Sequence, residues 1–296
     1  MARNAPPIER LRAAAASVRE RGWAVDVVAT AAQGDASRLA LEAAGAGSRL
    51  IIACGGDGTL NEVINGVVGR DVAVSVIRGG MGNVFAKEIG VPRSPQTALR
   101  ALLEGDDHRM DLGLAGRRYF LLMAGVGFDA TIVQRVPTRP KRLLGSTSYA
   151  LWGAAGLIGY HSRPVSLTLD GAAREVDLYW LLLGNTRSYG GVINITSRAL
   201  VDDGLLDAYV YAGQGLSWAV RTGLWMALRR TDRARGVSFQ RLREAEVTTP
   251  GVPVQADGEY VGETPMRFTA APGAVVVRMP AGRGGQLFSK PVAPAG

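Results

Sequence analysis

A stretch with three glycines in four positions places the tightest constraint on how this 296-residue chain can fold. Residues 50–68 read LIIACGGDGTLNEVINGVV, and the apolar run at 50–54 is typical of a strand that is buried on both faces. A helical pattern follows at 59–68, where Thr59 and Glu62 match the T-x-x-E capping box that would fix the start of the helix. A strand, a glycine turn and a helix in this order indicate an α/β fold with a parallel sheet.

The glycine turn is suited to binding phosphate. Glycine lets the backbone turn sharply and approach a phosphate without side-chain obstruction, and the start of the following helix favours negative charge. Asp57 lies inside the turn. A carboxylate beside phosphates is unfavourable unless a cation or an exchanging proton lies between them, so Asp57 indicates magnesium or proton abstraction from an acceptor. A purely structural turn is the alternative, and the usual P-loop is excluded because the sequence has no Gly-Lys pair.

The first third of the chain continues this alternation of helices and strands. Its pattern predicts helices at 8–18, 37–44 and 95–104, the last capped by Ser94, and strands at 23–30 and 72–77. Such alternation predicts a doubly wound domain.

From about residue 119 the pattern changes to short strands separated by Gly, Pro, Asp and Asn turns. Strands are predicted at 119–124, 165–169, 176–183, 205–211, 252–256, 266–269 and 274–279, and helices near 146–160 and 216–235. We therefore expect an α/β nucleotide-binding domain over residues 1–115, a β-rich domain over 116–282, and a loose tail over 283–296 that could return to the first domain.

Composition narrows the classes of partner. The net charge of +8 suggests anionic partners, but no basic stripe interleaved with aromatic residues supports nucleic acid, so none is expected. Cys54 is the only cysteine and the two histidines are distant from it, which excludes an internal disulfide and gives no indication of zinc. The sequence has neither an apolar signal segment at its start nor about 18 consecutive apolar residues, so we expect a cytoplasmic protein with peripheral membrane contact.

Two basic clusters could make that contact. Arg135, Arg139, Lys141 and Arg142 precede the apolar residues 149–160, an arrangement that suits docking on anionic lipid. In the second cluster, Trp218, Trp225, Arg221, Arg229 and Arg230, core packing of the tryptophans with a solvated basic flank is the preferred interpretation.

GGDGTLNEVINGV resembles the signature of the diacylglycerol kinase catalytic family, which includes bacterial lipid kinases and sphingosine kinases. Other segments resemble family motifs, in family order: TAAQGDA (30–36), GMGNVFA (80–86), GVGFDA (125–130), GN (184–185), YGG (189–191), DGLLD (203–207) and DGE (257–259). The resemblance covers nearly the whole chain.

The resemblance implies a nucleotide domain like that of NAD kinase and phosphofructokinase, a sandwich-like β-rich domain, and a cleft between them for ATP and lipid. The enzyme would transfer the γ-phosphoryl group of ATP to the hydroxyl of diacylglycerol or a related lipid, with Glu259 as general base and Asp57 as its catalytic partner. The residues that would hold ATP are Thr30, Gly55, Gly56, Asp57, Gly58, Thr59, Leu60, Asn61, Gly80, Met81 and Asn83.

Two magnesium positions are also implied. Asp57 and Asp129 would hold the catalytic ion through water, while a separate structural ion would bind the loop containing Leu200, Asp203 and Leu205. A simple turn aspartate is an equally good interpretation of Asp203.

The chain departs from the family pattern at three points. No strand ending in Asn-Pro precedes the first helix, so the true start is expected upstream, or the sheet lacks a strand. Met81 replaces a threonine that would contact ATP, and Val84 replaces an acidic residue. These departures leave a weak or inactive lipid- or nucleotide-binding pseudokinase as the alternative, with NAD kinase less favoured. The sequence leaves the lipid and the oligomeric state, including a homodimer, open.

Overall fold

The computed structural model describes residues 6–135, 160–188, 195–228 and 230–289. The chain divides into two compact units, one formed by the chain up to Met110 and from Gly273 onward, the other by Asp111–Pro272. Several predictions lie outside the described residues: the predicted helix at 146–160 as far as residue 159, Arg139, Lys141 and Arg142, the segment 189–191, and residues 290–296 of the tail.

The first unit alternates helices and strands. Its elements are α1 (Ile8–Arg19), α2 (Asp35–Gly45), β1 (Leu50–Gly55), α3 (Asp57–Val67), β2 (Ala73–Arg78), α4 (Val84–Glu88) and α5 (Pro95–Leu103), followed by β3 (Asp106–Ala115), which continues into the second unit. β1 and β2 are parallel, and β2 also pairs in parallel with the last part of β14 (Met266–Met279). The buried side chains of α1 recur at helical spacing, at Ala14, Ala15 and Val18.

Two predictions for this unit are wrong. Residues 23–30 form no strand, and their side chains alternate between partly and fully exposed, because no described strand pairs with them. β1 is not buried on both faces: Leu50, Ile51 and Ile52 remain partly exposed. Among the described strands β1 pairs only with β2, so its other edge has no strand beside it.

The second unit is a sandwich of two antiparallel sheets. Its remaining elements are β4 (Arg118–Phe120), β5 (Met123–Gly127), α6 (Phe128–Arg135), β6 (Arg163–Leu169), β7 (Ala172–Leu178), β8 (Trp180–Gly184), β9 (Leu206–Tyr211), α7 (Leu216–Ala227), β10 (Val237–Leu242), β11 (Glu244–Val247), β12 (Pro253–Ala256) and β13 (Glu259–Glu263). One sheet has the order β10-β9-β8-β5-β12-β13, and the other contains β7, β6, β11 and the first part of β14. Phe120, Val126, Leu167, Leu183 and Phe268 belong to the shared core.

Several strand boundaries differ from the prediction. The single strand expected at 119–124 is two strands, because backbone N–H groups between β4 and β5 bind a side chain instead of a neighbouring strand. The strand expected at 176–183 is divided at Tyr179 into β7 and β8, whereas 266–269 and 274–279 join into the continuous β14. The helix expected at 216–235 ends at Ala227. The doubly wound N-terminal domain followed by a sandwich-like domain is confirmed as the fold class.

Candidate active site

Two glycine turns lie in contact at the carboxyl ends of β1 and β2. The N–H of Gly79 donates to the carbonyl of Gly55 at 2.9 Å. A Cβ added to Gly80 would lie 2.4 Å from the Cα of Gly56, which is too close for any side chain. Since the carboxyl ends of neighbouring parallel strands are where α/β sheets bind ligands, these turns form a candidate phosphate site.

The carboxylate of Asp57 connects these two turns. Asp57 is the first residue of α3, after the extended N-cap Gly56, and its Oδ1 accepts the N–H of Phe85 at 3.1 Å. The predicted helix start at Thr59 is therefore wrong. Glu62 does not form the capping box, because its Oε2 accepts the N–H of Gly34 at 3.0 Å.

Asn83 shapes the second turn. Its backbone is left-handed, with φ at 47°, and its Oδ1 accepts the N–H groups of Gly79 and Gly80 at 3.1 and 2.9 Å. The neighbouring Met81 is 40% exposed, whereas Val84 is buried. The turn therefore owes its shape to the asparagine and the glycines, and methionine at position 81 is compatible with it.

Glu62 also places the loop that contains Thr30 beside α3. The loop carries Gly34, whose N–H binds Glu62, and Asp35, whose Oδ2 accepts the N–H groups of Ala31 and Ala32 at 2.8 and 2.9 Å. These backbone donors, that of Ala32 most strongly, hold the pKa of Asp35 below its usual value. The structure thus brings this loop to the helix that follows the first glycine turn.

In the second unit, the Asp-Gly-Glu segment forms a tight hairpin turn between β12 and β13. Asp257 and Gly258 both have positive φ, 48° and 79°, which is the geometry of a two-residue type I′ turn. The carboxylate of Asp257 accepts the N–H groups of three successive residues, Leu121, Leu122 and Met123, at 2.7, 2.8 and 3.0 Å. The turn is therefore fastened to the segment between β4 and β5.

Glu259 follows this turn as the first residue of β13. One oxygen of its carboxylate accepts a hydrogen bond from Nη2 of Arg118 at 3.1 Å, and the two side chains are 33% and 31% exposed. An ion pair this exposed stabilises the fold by about 1 kcal/mol at most, but it gives the carboxylate a defined direction. Arg118 was not among the predicted site residues, because nothing local connects it with a residue so far along the chain.

Gln255 links the same turn to Asp129. Its Nε2 donates to Oδ2 of Asp129 at 2.8 Å, and its Oε1 accepts the N–H of Gly258 at 2.8 Å. Asp129 is only 4% exposed, and this burial raises its pKa to about 7. The structure thus brings Asp129 and the Glu259 turn together, through a glutamine that the sequence analysis also missed.

The side chain of Arg241, on β10, lies beside the loop predicted to bind a separate magnesium ion. Nη1 of Arg241 lies 3.5 Å from Oδ2 of Asp203, and its Nε lies 3.2 Å from Oδ1 of Asp207. Oδ1 of Asp203 accepts the N–H of Leu205, which with Leu200 is partly buried on the same loop. Both carboxylates therefore have a cationic partner in this structure, and a magnesium ion at this loop stays a prediction. The described part of the chain also holds no group of three or more His, Cys, Asp or Glu side chains suited to a metal.

Two family models together match most of the chain. The diacylglycerol kinase catalytic domain matches residues 7–115, and the YegS C-terminal NAD kinase beta sandwich-like domain matches residues 123–279.

Curated relatives and a solved structure agree with this. The "Probable lipid kinase YegS-like" of Pseudomonas putida is 34% identical over 282 residues, covering 93% of this chain and 92% of that protein. The protein of the same name from Chromohalobacter salexigens is 37% identical over 207 residues, covering 69% and 67%. The crystal structure of a diacylglycerol kinase from Bacillus anthracis str. Sterne superimposes with a TM-score of 0.73 at 22% identity, covering 92% and 90% of the two chains, which supports the fold. The chain belongs to the diacylglycerol kinase catalytic-domain family, among the YegS-like lipid kinases.

Proposed function

We propose that this chain is an ATP- and magnesium-dependent lipid kinase that phosphorylates the hydroxyl of diacylglycerol or a related lipid at a membrane surface. The observation that carries the proposal is the turn of Glu259, which three backbone hydrogen bonds to Asp257 and one to Gln255 hold in a fixed position. Such anchoring also fixes the acid that follows the turn, and a general base requires this because its oxygen must reach the acceptor proton at hydrogen-bond distance.

ATP would bind at the paired glycine turns after β1 and β2. The absence of side chains at Gly56 and Gly80 lets phosphate oxygens approach the backbone N–H groups in the first turn of α3. The proposed nucleotide site also contains Thr30, Gly55, Gly58, Thr59, Leu60, Asn61, Met81 and Asn83. Asn83 preserves the turn without the family threonine, so Met81 is expected to weaken ATP binding by about one lost hydrogen bond, roughly 1 kcal/mol.

Asp57 is the carboxylate that best fits a magnesium site beside these phosphates. Its Oδ1 has the N–H of Phe85 as a donor, and a lone carboxylate with water ligands suits a hard cation. When bound, magnesium neutralises charge on the transferring phosphoryl group. In the second unit, both oxygens of the buried Asp129 accept N–H donors, which holds that carboxylate in place.

Glu259 would take the proton of the lipid hydroxyl as the phosphoryl group arrives. Its hydrogen bond from Arg118 fixes the direction of the carboxylate before substrate binds. Asp257, Gln255 and Asp129 act as positioning residues for this carboxylate.

Labelled ATP, magnesium and mixed micelles containing diacylglycerol test the proposal. We expect a labelled lipid from the wild type and losses of at least a hundredfold in Glu259→Gln and Asp57→Asn, in line with the usual contribution of a general base. Glu263→Gln is the matched control, because Glu263 lies on the same strand and is exposed. Unchanged turnover in both site variants would overturn the assigned roles.

The same assay separates the two alternatives. A pseudokinase would bind lipid without binding ATP, even after Met81→Thr. An NAD kinase would phosphorylate NAD and leave the lipid unlabelled. The NAD kinase alternative is less favoured because Asn61-Glu62 follows the glycine turn directly, as in the lipid enzymes.

A further inference from the structure

Helix α7 has an exposed apolar stripe. Val220, Leu224 and Leu228 are 58%, 60% and 57% exposed, and their spacing of four residues puts them on one side of the helix and its C-terminal cap. Of the seven large hydrophobic residues that are exposed in the described part of the chain, three lie here. Scattered exposed hydrophobic residues are ordinary, but a row of three on one helix face marks an interaction surface.

The opposite face of α7 is already packed. Trp218 donates its Nε1–H to the carbonyl of Arg235 at 2.7 Å and lies edge-on to Tyr179, with ring centroids 5.2 Å apart. Ala219 and Thr222 are buried. These contacts fix the orientation of the helix, and in that orientation the apolar stripe is exposed. Trp218 thus packs inward, in agreement with the interpretation preferred from the sequence, and the aliphatic residues point outward.

Basic residues flank the stripe. Residues 216–235 contain five arginines and a single acid, Asp232. Arg221 on the helix itself and Arg230, Arg233 and Arg235 beyond its end are exposed. An apolar face bordered by positive charge is complementary to the surface of a bilayer with acidic headgroups, where anionic groups lie above the apolar acyl chains.

We propose that α7 docks on an anionic lipid surface, with Val220, Leu224 and Leu228 inserted among the acyl chains and the arginines at the headgroups. The proposal rests on the proposed function for its role: docking would bring the lipid substrate to the enzyme. No helix in the described ranges is long and apolar enough to cross a bilayer, so this contact is an interfacial one.

Aromatic packing connects this docking surface to the candidate site in the same unit. Trp218 contacts Tyr179, and Tyr179 stacks on Phe128 with ring centroids 5.0 Å apart. Phe128 begins α6 and directly precedes Asp129. The helix that meets the bilayer is therefore braced by packed rings against the helix that carries the buried carboxylate.

Vesicle sedimentation tests the surface directly. The probes are vesicles of phosphatidylcholine alone and vesicles with an equal part of phosphatidylglycerol. We expect the wild type to sediment with the anionic vesicles and Leu224→Glu to lose at least about tenfold in affinity, because burial of one leucine is lost and a like charge is added. Leu41→Glu, at an exposed leucine on α2, is the matched control and should bind as the wild type does.

A double variant and a measurement of folding serve as further controls. Arg221→Ser with Arg230→Ser removes charge without adding any, and should weaken binding to anionic vesicles only. Circular dichroism verifies folding of each variant. Equal sedimentation of wild type and variants with anionic vesicles would overturn the proposal. So would a wild-type dimer in light scattering that Leu224→Glu converts to monomer while vesicle binding stays unchanged, since the stripe would then be a subunit interface.

Kinase assays separate this proposal from the proposed function. With a short-chain, water-soluble diacylglycerol, Leu224→Glu should match the wild type, whereas with diacylglycerol in anionic vesicles it should be slower by about the loss of vesicle affinity. If the wild type phosphorylates no lipid but Leu224→Glu still loses vesicle binding, the proposed docking surface stands and the proposed kinase function is refuted.

Discussion

The turn that carries Glu259 depends on the carboxylate of Asp257, and substitutions at Asp257 test whether that turn positions a catalytic group. Three backbone N–H groups, those of Leu121, Leu122 and Met123, point at this one side chain. Oδ1 accepts two of them and Oδ2 the third. Removing the acceptors should release the turn from the segment between β4 and β5, and Glu259 moves with the turn.

The cost can be estimated from these bonds. Asp257→Asn keeps one oxygen and tolerates the left-handed backbone, but its amide nitrogen would face the N–H of one backbone donor, so the free energy of unfolding should fall by about 2 kcal/mol, the worth of one hydrogen bond to a charged group. Asp257→Ala removes every acceptor and adds about 1 kcal/mol of backbone strain at φ 48°, so it should cost at least twice as much. Asp257→Gly removes the acceptors without that strain and should lie between them.

The chain contains a matched control in the hairpin between β6 and β7. Asp170 and Gly171 have φ of 44° and 83°, the same turn type, and Oδ1 of Asp170 accepts the N–H groups of Arg243 and Glu244, both at 2.9 Å. Asp170→Ala, which removes the acceptor of both bonds and strains the backbone at φ 44°, should therefore lower stability by a similar order of magnitude to Asp257→Ala. No candidate catalytic residue lies on that turn, so turnover should stay unchanged.

Urea unfolding and steady-state lipid phosphorylation, measured on the same preparations, provide the assay. We expect Asp257→Asn to lower kcat at least tenfold at temperatures where the protein remains folded, with KM for ATP little changed. If Asp257→Asn and Asp257→Ala lost stability and both kept wild-type kcat, as Asp170→Ala should, the anchored turn would be purely structural and Glu259 would not be the base.

Two further predictions address the buried carboxylate and the glycine turns. Burial raises the pKa of Asp129 to about 7 from a usual value of 3.8, so the folded state binds its proton more tightly than the unfolded chain. The stability of the wild type relative to Asp129→Asn should therefore fall as pH rises from about 4 to about 7, by up to about 4 kcal/mol, and a flat difference in metal-free denaturation curves would contradict it. Gly80→Ala, whose Cβ would lie 2.4 Å from the Cα of Gly56, should weaken ATP binding at least about tenfold in calorimetry. Gly45→Ala, where a Cβ meets nothing within 4 Å, should bind ATP normally; equal affinity in both variants would exclude the glycine turns as the nucleotide site.

Local sequence predicted the parts of this molecule that depend on local geometry. The strand, glycine turn and helix at β1 and α3 follow from residue spacing within a few positions and from the close backbone approach that glycine allows. The Asp-Gly turn before Glu259 follows from glycine's freedom at positive φ. The strand predicted at 23–30 is absent because an alternating apolar pattern is not sufficient. A strand also needs a neighbouring strand that offers hydrogen bonds, and no described strand lies beside these residues.

Long-range partners could not be predicted in the same way. Arg118, Gln255 and Arg241 each contact carboxylates that only the folded sandwich brings near them. Pro272 and Gly273 looked like a turn between two strands, yet β14 continues through them because its two ends pair with different partners, β11 and β2. Single-sequence patterns carry no information about such pairings.

A comparison between the two Asp-Gly hairpins shows what distinguishes the one that carries Glu259. Both turns have the same backbone geometry, and both use the aspartate carboxylate as an acceptor for backbone N–H groups, so anchoring alone is a general solution for fixing a turn. After Asp170-Gly171 the next residue is the exposed Ala172, whereas after Asp257-Gly258 it is an acid that meets Arg118. The second turn is also tied through Gln255 to the buried Asp129, whose burial costs stability at neutral pH. A turn needed only for folding gains nothing from that costly carboxylate, so its link to the turn through Gln255 supports the proposed role of Glu259 as the base.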